Sequence, residues 1–372
     1  MADLHTVINK IRFANPVLPA AGPNVRTGKL MVESAEGGAG GIVSKTVSTN
    51  AADDARPSIR RLSNGGLANC ETWSEIPVEQ YLTDLAEAKA TGLPLVASIG
   101  YSAEEVHLLG GLIEREIAPD AFEFSTHYTG HGLDPLVAVA RSLRDTVGAP
   151  VWMKISPNFP DIEALALAAE PFVDGFVAIN SFGPVLDFDI DDPRPILGSE
   201  QGTGWMSGPP IRPIALQIVR RLASTTEKPI IGVGGVTSGR DAIQFIMAGA
   251  QAVQVCTAAI ERGQNVYGEI AGEIGAWLDE HGYSSIDEIR GIFGTGGDGG
   301  AALASNARMS IDVEKCTACG KCATSCVHGA ITVDKVAVVD AGRCIGCGYC
   351  QDSCRFDAMT LRSPEPQAET AI

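Results

Sequence analysis

The sequence predicts an α/β protein, a (β/α)8 TIM barrel filling most of the 372 residues, followed by a small cysteine-rich α+β unit. Three observations predict it. Short β-branched or apolar runs alternate eight times with helical stretches. A glycine-rich stretch from Gly294 to Ser305 then interrupts the pattern. Beyond it, eight of the ten cysteines crowd between Cys316 and Cys354. A doubly wound open sheet is the competing arrangement of the same alternation.

The expected strands are Val17–Ala21, Gly41–Lys45, Leu95–Ile99, Phe122–Ser125, Val151–Ile155, Gly175–Asn180, Ile230–Val233 and Ala252–Cys256. Helical spacing or alanine-rich composition marks Val78–Ala90, Glu104–Ile117, Ile162–Ala169, Ile211–Leu222 and Asp241–Met247 between them. The expected organisation is therefore a barrel over 1–293, a linker over 294–309 and a compact unit over 310–362. The polar residues 363–372 are expected to be disordered.

Composition narrows the function classes. A formal net charge of −17 and the lack of any basic run argue against nucleic acid or an anionic membrane as partner. The first thirteen residues mix Asp3, His5, Lys10 and Arg12 among apolar ones, unlike an export signal. No apolar run approaches the ~20 residues of a membrane span. The expectation is a soluble, cytoplasmic protein.

The late cysteines form two copies of C-x2-C-x2-C-x3-C: Cys316, Cys319, Cys322, Cys326, and then Cys344, Cys347, Cys350, Cys354. Three thiolates at this spacing wrap three corners of a [4Fe–4S] cube, and the fourth reaches across to the other cube. One cluster is therefore expected on Cys316, Cys319, Cys322 and Cys354, the second on Cys344, Cys347, Cys350 and Cys326. Gly320 and Gly348 sit inside the ligand loops, where backbone passes close to the inorganic core. Structural zinc fits less well, because its sites use separated cysteine pairs.

In a barrel, chemistry collects where strands end. Lys45 ends strand two, Ser125 to Tyr128 follow strand four, Lys154 lies in strand five, and Asn180–Ser181 end strand six. Gly234–Gly235 follow strand seven and Thr257 follows strand eight, an arrangement suited to a phosphate. Lys45 and Lys154 interrupt apolar strands, so their burial needs partners.

These residues carry a resemblance. NPVLPAAG from Asn15, IVSKTVS from Ile42, MKISPN from Met153, AINSFG from Ala178, SGPPIRPIAL from Ser207 and GVGGVTSGRDAIQFIMAGAQAVQVCTA from Gly232 resemble the dihydroorotate dehydrogenase family, and within it the FMN barrel of dihydropyrimidine dehydrogenases. The cysteine-rich segment resembles two-cluster bacterial ferredoxins, with Val327 and Arg355 where a proline usually follows the fourth cysteine. The order barrel-then-clusters is similar to the pyrimidine-reducing subunit of a bacterial two-subunit enzyme. The resemblance implies FMN packed on Ala21 and Gly22, with Lys45 and Thr46 at its polar edge and Lys154 by its pyrimidine ring. Gly208, Gly234, Gly235, Cys256 and Thr257 would surround ribityl and phosphate. Asn69, Glu71 and Ser181 would hydrogen-bond a pyrimidine-like substrate, and Asn180 would meet both flavin and substrate.

One loop departs from the family. Its Asn-Leu-Ser-Cys-Pro signature is here Ser125-Thr126-His127-Tyr128-Thr129, so Ser125 replaces a substrate-binding asparagine and Tyr128 the cysteine that handles a proton. The first reading makes Tyr128 the new acid; His127 or His131 is the alternative; a site that no longer reduces carbon–carbon bonds is the third reading. Trp73 adds an aromatic wall near the expected pocket. The expected activity is reduction of an activated C=C in a small cyclic substrate, with electrons passing from a partner through the clusters to FMN. Gly232–Gly235 is no dinucleotide fingerprint, so the donor is expected to be a FAD/NAD(P)H oxidoreductase subunit or a ferredoxin. A homo-oligomer is expected as well. Reverse flux as a dehydrogenase, and an electron carrier with a degenerate site, are the rival functions.

Overall fold

The computed structural model describes residues 1–125, 132–293 and 306–362. His127, Tyr128 and His131, most of the expected linker and the tail 363–372 lie outside the described residues. The chain divides into two compact units, Met1–Phe293 and Gly294–Ile372.

The first unit is built on eight parallel strands: β1 (Val17–Pro19), β2 (Ile42–Val43), β3 (Leu95–Ile99), β4 (Ala121–Ser125), β5 (Val151–Ile155), β6 (Gly175–Ala178), β7 (Ile230–Val233) and β8 (Ala252–Val255). Hydrogen-bonded neighbours run β1–β8–β7–β6–β5–β4–β3–β2. The last seam, β1 against β2, is bridged by Gly40, whose amide donates to the Val17 carbonyl at 2.8 Å. A Cβ on Gly40 would stand 2.0 Å from the Asn15 carbonyl oxygen, so a side chain there would hold the seam open. The sheet is a nearly closed TIM-like barrel with helices on its outer face.

Those helices are α1 (Gly28–Glu36), α2 (Val78–Lys89), α3 (Ala103–Ile117), α4 (Leu133–Thr146), α5 (Ile162–Ala169), α6 (Arg212–Thr225), α7 (Gly239–Ala248), α8 (Thr257–Arg262) and α9 (Val266–Glu280). Their starts are legible locally: Thr27, Ser102, Asp161 and Ser238 each accept a first-turn amide through a side-chain oxygen. At α3, Glu105 answers Ser102 in a capping box.

Alternation along the strands sorts the two faces. Phe122, Phe124, Val151, Met153, Phe176 and Val253 face the helices. Leu18, Val43, Val96, Ala121, Trp152, Val177, Ile231 and Ala252 fill the barrel interior. Each such large apolar side chain contributes about 1.5–3 kcal/mol when fully buried. Two residues further along, the interior turns polar, with Lys45, Ser98, Glu123, Lys154 and Gln254, all buried. The same period of two that packs the base therefore aims these groups at the carboxyl end.

An N-terminal hairpin, Thr6–Ile8 paired with Ile11–Phe13, turns through Asn9 and Lys10, both at positive φ. Its Ile8 and Phe13 close the barrel base, and the Asn9 side chain accepts a hydrogen bond from the Trp152 indole at 2.7 Å. A four-stranded antiparallel sheet, Phe182–Val185, Gly204–Ser207, Leu67–Asn69 and Ile59–Arg61, grows from the loops after β2 and β6. Nothing in the sequence reading anticipated it, because strands of three or four residues show no usable period.

Four strands end earlier than expected. β1 stops at Pro19, β2 at Val43, β6 at Ala178 and β8 at Val255. The residues left over, including Ala21, Lys45, Asn180 and Cys256, lie past the strand ends at the barrel mouth, with the Asn180 amide still donating to the Ile155 carbonyl at 2.8 Å. The linker also ends sooner than 309, since Ala307 is buried and Arg308–Ile311 pairs with Met359–Arg362.

The second unit holds that pair, a second hairpin Ile331–Val333 with Ala337–Val339, and two short helices, Lys321–Ser325 and Tyr349–Asp352. Cys322, Cys350, Met309, Ile331 and Met359 form its small core.

Candidate active site

The mouth of the barrel opens into a cavity of about 1310 Å³, solvent at its opening included. Its polar floor is a network. Lys154 Nζ donates to Glu123 Oε1 at 3.2 Å and to Gln254 Oε1 at 3.3 Å, while Gln254 Nε2 donates to Glu123 Oε2 at 2.6 Å. Lys154 is 6% exposed and Glu123 not at all, so each charge depends on the other.

A second cation, Lys45, lines the same cavity. Lys45 Nζ donates to Glu71 Oε2 at 2.8 Å, and the two side chains are 7% and 16% exposed. The Lys45 backbone is held by Tyr81, whose hydroxyl donates to the Lys45 carbonyl at 3.0 Å. Asn69, on the antiparallel sheet, donates through Nδ2 to the Trp205 carbonyl at 3.2 Å. Asn180 Nδ2 donates to Ser125 Oγ at 3.0 Å, and Asn180 Oδ1 accepts from the Ser181 amide at 2.8 Å.

The glycine side of the cavity is shaped by close approach. Gly208, Gly234 and Gly235 have φ of 89°, 130° and 75°. Neither Gly234 nor Gly235 directs its amide to an acceptor among the described residues. Beside them Thr257 Oγ1 bonds Ser207 Oγ at 2.9 Å. Next to Thr257, a Cβ on Gly22 would lie 2.5 Å from Cys256 Sγ. Burial pushes the Cys256 thiol up to about 11, so it is neutral at neutral pH. A flat apolar ring and an anionic tail suit this lining: small residues for the ring, free amides for the tail, and a buried lysine where negative charge would develop.

In the cysteine-rich unit, Cys316, Cys319, Cys322 and Cys354 surround one cavity together with Val333, Ala337 and Met359. Burial pushes the Cys350 thiol up to about 11, and Cys347, Cys344 and Cys326 lie near enough to add to that rise. The fourth cysteine of each run thus sits with the other run. Gly320 and Gly348, at φ of 76° and 86°, open the two short helices. Backbone amides of Ala337, Ala330 and Ala358 point at the sulfurs of Cys316, Cys326 and Cys354 at 3.3, 3.3 and 3.4 Å. Among the described residues no cluster of His, Cys, Asp and Glu converges on a single-ion site. Cysteine sulfurs around a void, with amides donating to them, suit an iron–sulfur cube.

Comparison with known proteins agrees with both units. Residues 129–278 match the family model described as dihydroorotate dehydrogenase, and residues 308–355 match the 4Fe-4S dicluster domain. Among relatives, the catalytic subunit of dihydroorotate dehydrogenase B (NAD(+)) from Pyrococcus abyssi is 36% identical over 293 residues, covering 76% of this chain and 96% of that protein. The subunits of the same name from Pyrococcus furiosus and Thermococcus kodakarensis are 37% and 34% identical, covering 76% and 78% of this chain and 96% and 98% of theirs. The chain belongs to the dihydroorotate dehydrogenase family.

As a member of that family it is a flavoprotein, an FMN-dependent oxidoreductase acting on CH–CH bonds, here joined to an iron–sulfur domain. Those three relatives are matched over nearly their full length, yet about a quarter of this chain lies outside the match. No helix among the described residues is long and apolar enough to cross a membrane.

All the described residues expected at the flavin or the substrate line the one cavity: Ala21, Gly22, Lys45, Thr46, Lys154, Asn180, Gly208, Gly234, Gly235, Cys256 and Thr257, with Asn69, Glu71, Ser125 and Ser181. Trp73 does not line it. Its indole donates to the Asn50 carbonyl at 2.6 Å and its ring leans on Tyr101, which does line the cavity. Sequence reasoning missed Glu123, Gln254 and Tyr101. The first two had a signal: each is a polar residue inside a short apolar strand, the test already applied to Lys154.

Proposed function

We propose that this chain reduces an activated carbon–carbon double bond in a small cyclic, pyrimidine-like substrate, using electrons delivered through its iron–sulfur unit by a separate donor. The observation that carries the reading is the cavity itself, with two buried lysines, free glycine amides and a group of amide and hydroxyl side chains facing one space. FMN held there supplies two-electron chemistry at carbon.

The chain's own residues divide the work. Lys154, held in place by Glu123 and Gln254, stabilises negative charge at the floor. Gly22 and Ala21 leave room for a flat ring, and Gly234, Gly235 and Thr257 hold a phosphate. Asn69, Glu71, Asn180 and Ser181 orient the substrate, with Ser125 beside Asn180. Saturating the double bond takes two electrons and two protons, and the segment after β4 is the source of one proton, through Tyr128 or else His127 or His131. Cys316, Cys319, Cys322 and Cys354, and Cys344, Cys347, Cys350 and Cys326, would hold two [4Fe–4S] clusters, which would supply one-electron transfer. The donor is a FAD/NAD(P)H oxidoreductase subunit or a ferredoxin, in keeping with relatives named as catalytic subunits, and the assembly is a homo-oligomer. Reverse flux, as a dehydrogenase, is the second reading, favoured by the name those relatives carry.

The test is anaerobic. Protein reduced with dithionite is mixed with uracil, thymine and other cyclic enones or enamides while flavin absorbance is followed. Fast reoxidation by one ring compound is the expected result. A full complement of flavin and iron that reacts with none of them overturns the proposal.

A further inference from the structure

Lys154 and Gln254 line the cavity, whereas Glu123 does not and has no exposure at all. The three residues come from β5, β8 and β4. β4 and β5 are neighbours in the sheet, but β8 lies beyond β6 and β7, so Gln254 reaches Glu123 across the bore of the barrel. Glu123 uses both oxygens within this group: Oε1 accepts from Lys154 Nζ at 3.2 Å and Oε2 from Gln254 Nε2 at 2.6 Å. Gln254 Oε1 accepts from Lys154 at 3.3 Å, which closes a ring of three hydrogen bonds. Two of the three Lys154 donors are thereby used, and the third is left for a ligand. The positive charge that faces the cavity thus carries a countercharge one hydrogen bond away, on a residue the ligand does not touch.

We propose that Glu123 sets the reduction potential of the bound flavin, holding it low by cancelling part of the field of Lys154. A flavin gains negative charge on reduction, and a cation facing it favours the reduced form. A carboxylate bound to the same cation opposes that preference. Water does little to screen the pair, since Lys154 is 6% exposed and Glu123 not at all. At an effective dielectric constant of ~20, a unit charge ~10 Å away still shifts such an equilibrium more than tenfold. Glu123 is therefore a positioning residue that acts through Lys154: it holds the ammonium in place and limits its pull on electrons. A flavin kept low is the stronger donor of its two electrons to a carbon–carbon double bond. The proposal needs FMN in the cavity but no particular substrate, so it and the substrate reading above fail independently.

The test is a spectroelectrochemical titration of the flavin at pH 7, in FMN- and cluster-loaded protein and without substrate. Glu123→Gln keeps the shape of the side chain and removes its charge. It is expected to favour reduced over oxidised FMN at least tenfold more than the native chain does, read as a rise of about 30 mV or more in midpoint potential. Gln254→Met breaks the ring without changing the charge and is expected to move the ratio less than about threefold. Lys154→Met leaves the carboxylate alone and is expected to lower the potential; adding Glu123→Leu to it is expected to raise the ratio again by about tenfold or more. A Glu123→Gln potential equal to or below the native one overturns the proposal. So does an equal rise in Gln254→Met, because loss of the ring rather than of the charge would then be the cause. If Glu123→Gln fails to fold or to retain flavin, the step from Lys154→Met to the double variant decides: a rise upholds the tuning role, and no rise overturns it.

Discussion

Replacing Lys154 by methionine tests whether the floor of the cavity is a mutually dependent buried pair. Methionine keeps the length of the lysine stem and removes its charge. Glu123, with no exposure, is then left with the Gln254 amide at 2.6 Å as its one strong donor. Removing one partner of such a pair costs about 3–5 kcal/mol. An unfolding entropy of about 2.1 cal/mol/K per residue over the 293 residues of the barrel unit corresponds to ~0.6 kcal/mol/K. The melting temperature should therefore fall by roughly 5–8 °C. Calorimetry at saturating FMN keeps loss of the ligand from imitating the effect. The double variant Lys154→Met with Glu123→Leu removes both charges and should recover at least about 2 kcal/mol relative to the summed single effects. Additive single effects, or a Lys154→Met shift below about 1 °C, would refute the argument that these two charges stabilise each other.

Gly22→Ala places a methyl 2.5 Å from Cys256 Sγ and 2.8 Å from Asn24 Oδ1; flavin content of the purified variant should drop, with about 1–3 kcal/mol of overpacking seen in melting. Cys354→Ser should remove the cluster shared with Cys316, Cys319 and Cys322 and leave the other, so iron and sulfide analysis should return about half the native content. At Glu105, burial acts to raise the carboxyl, but hydrogen bonds from Ser48, the Ser102 amide and the Tyr101 amide outweigh it and hold it at about 2. A depressed carboxyl contributes stability that is full above its ordinary value of 4.5 and is lost as pH falls from there toward 2. Melting curves between pH 6 and 3 should fall less steeply for Glu105→Gln than for the native chain, and parallel curves would contradict the assignment.

Much of this protein was written locally. The eight strands follow from apolar runs whose alternation sets an outer and an inner face, and Thr27, Ser102, Asp161 and Ser238 mark helix starts by side-chain chemistry alone. The two cysteine runs specify their chemistry through spacing, because the first three cysteines of each run follow one another at intervals of three residues. Lys45 and Lys154 announced themselves as polar residues in apolar strands that required partners. The partners were a matter for tertiary structure. Glu123 lies 31 residues from Lys154, Gln254 lies 100 residues from it, and Glu71 lies 26 from Lys45. Barrel closure brings those strands to one mouth, and the antiparallel sheet growing out of two loops carries Asn69 there. Spacing along the chain holds no record of such contacts, since they depend on strand order and register around the barrel. The sequence alone thus determined which residues bear chemistry, and only the fold decided which charges cancel: burial forbids an unpaired ion, and the nearest opposite charge was a property of three-dimensional distance.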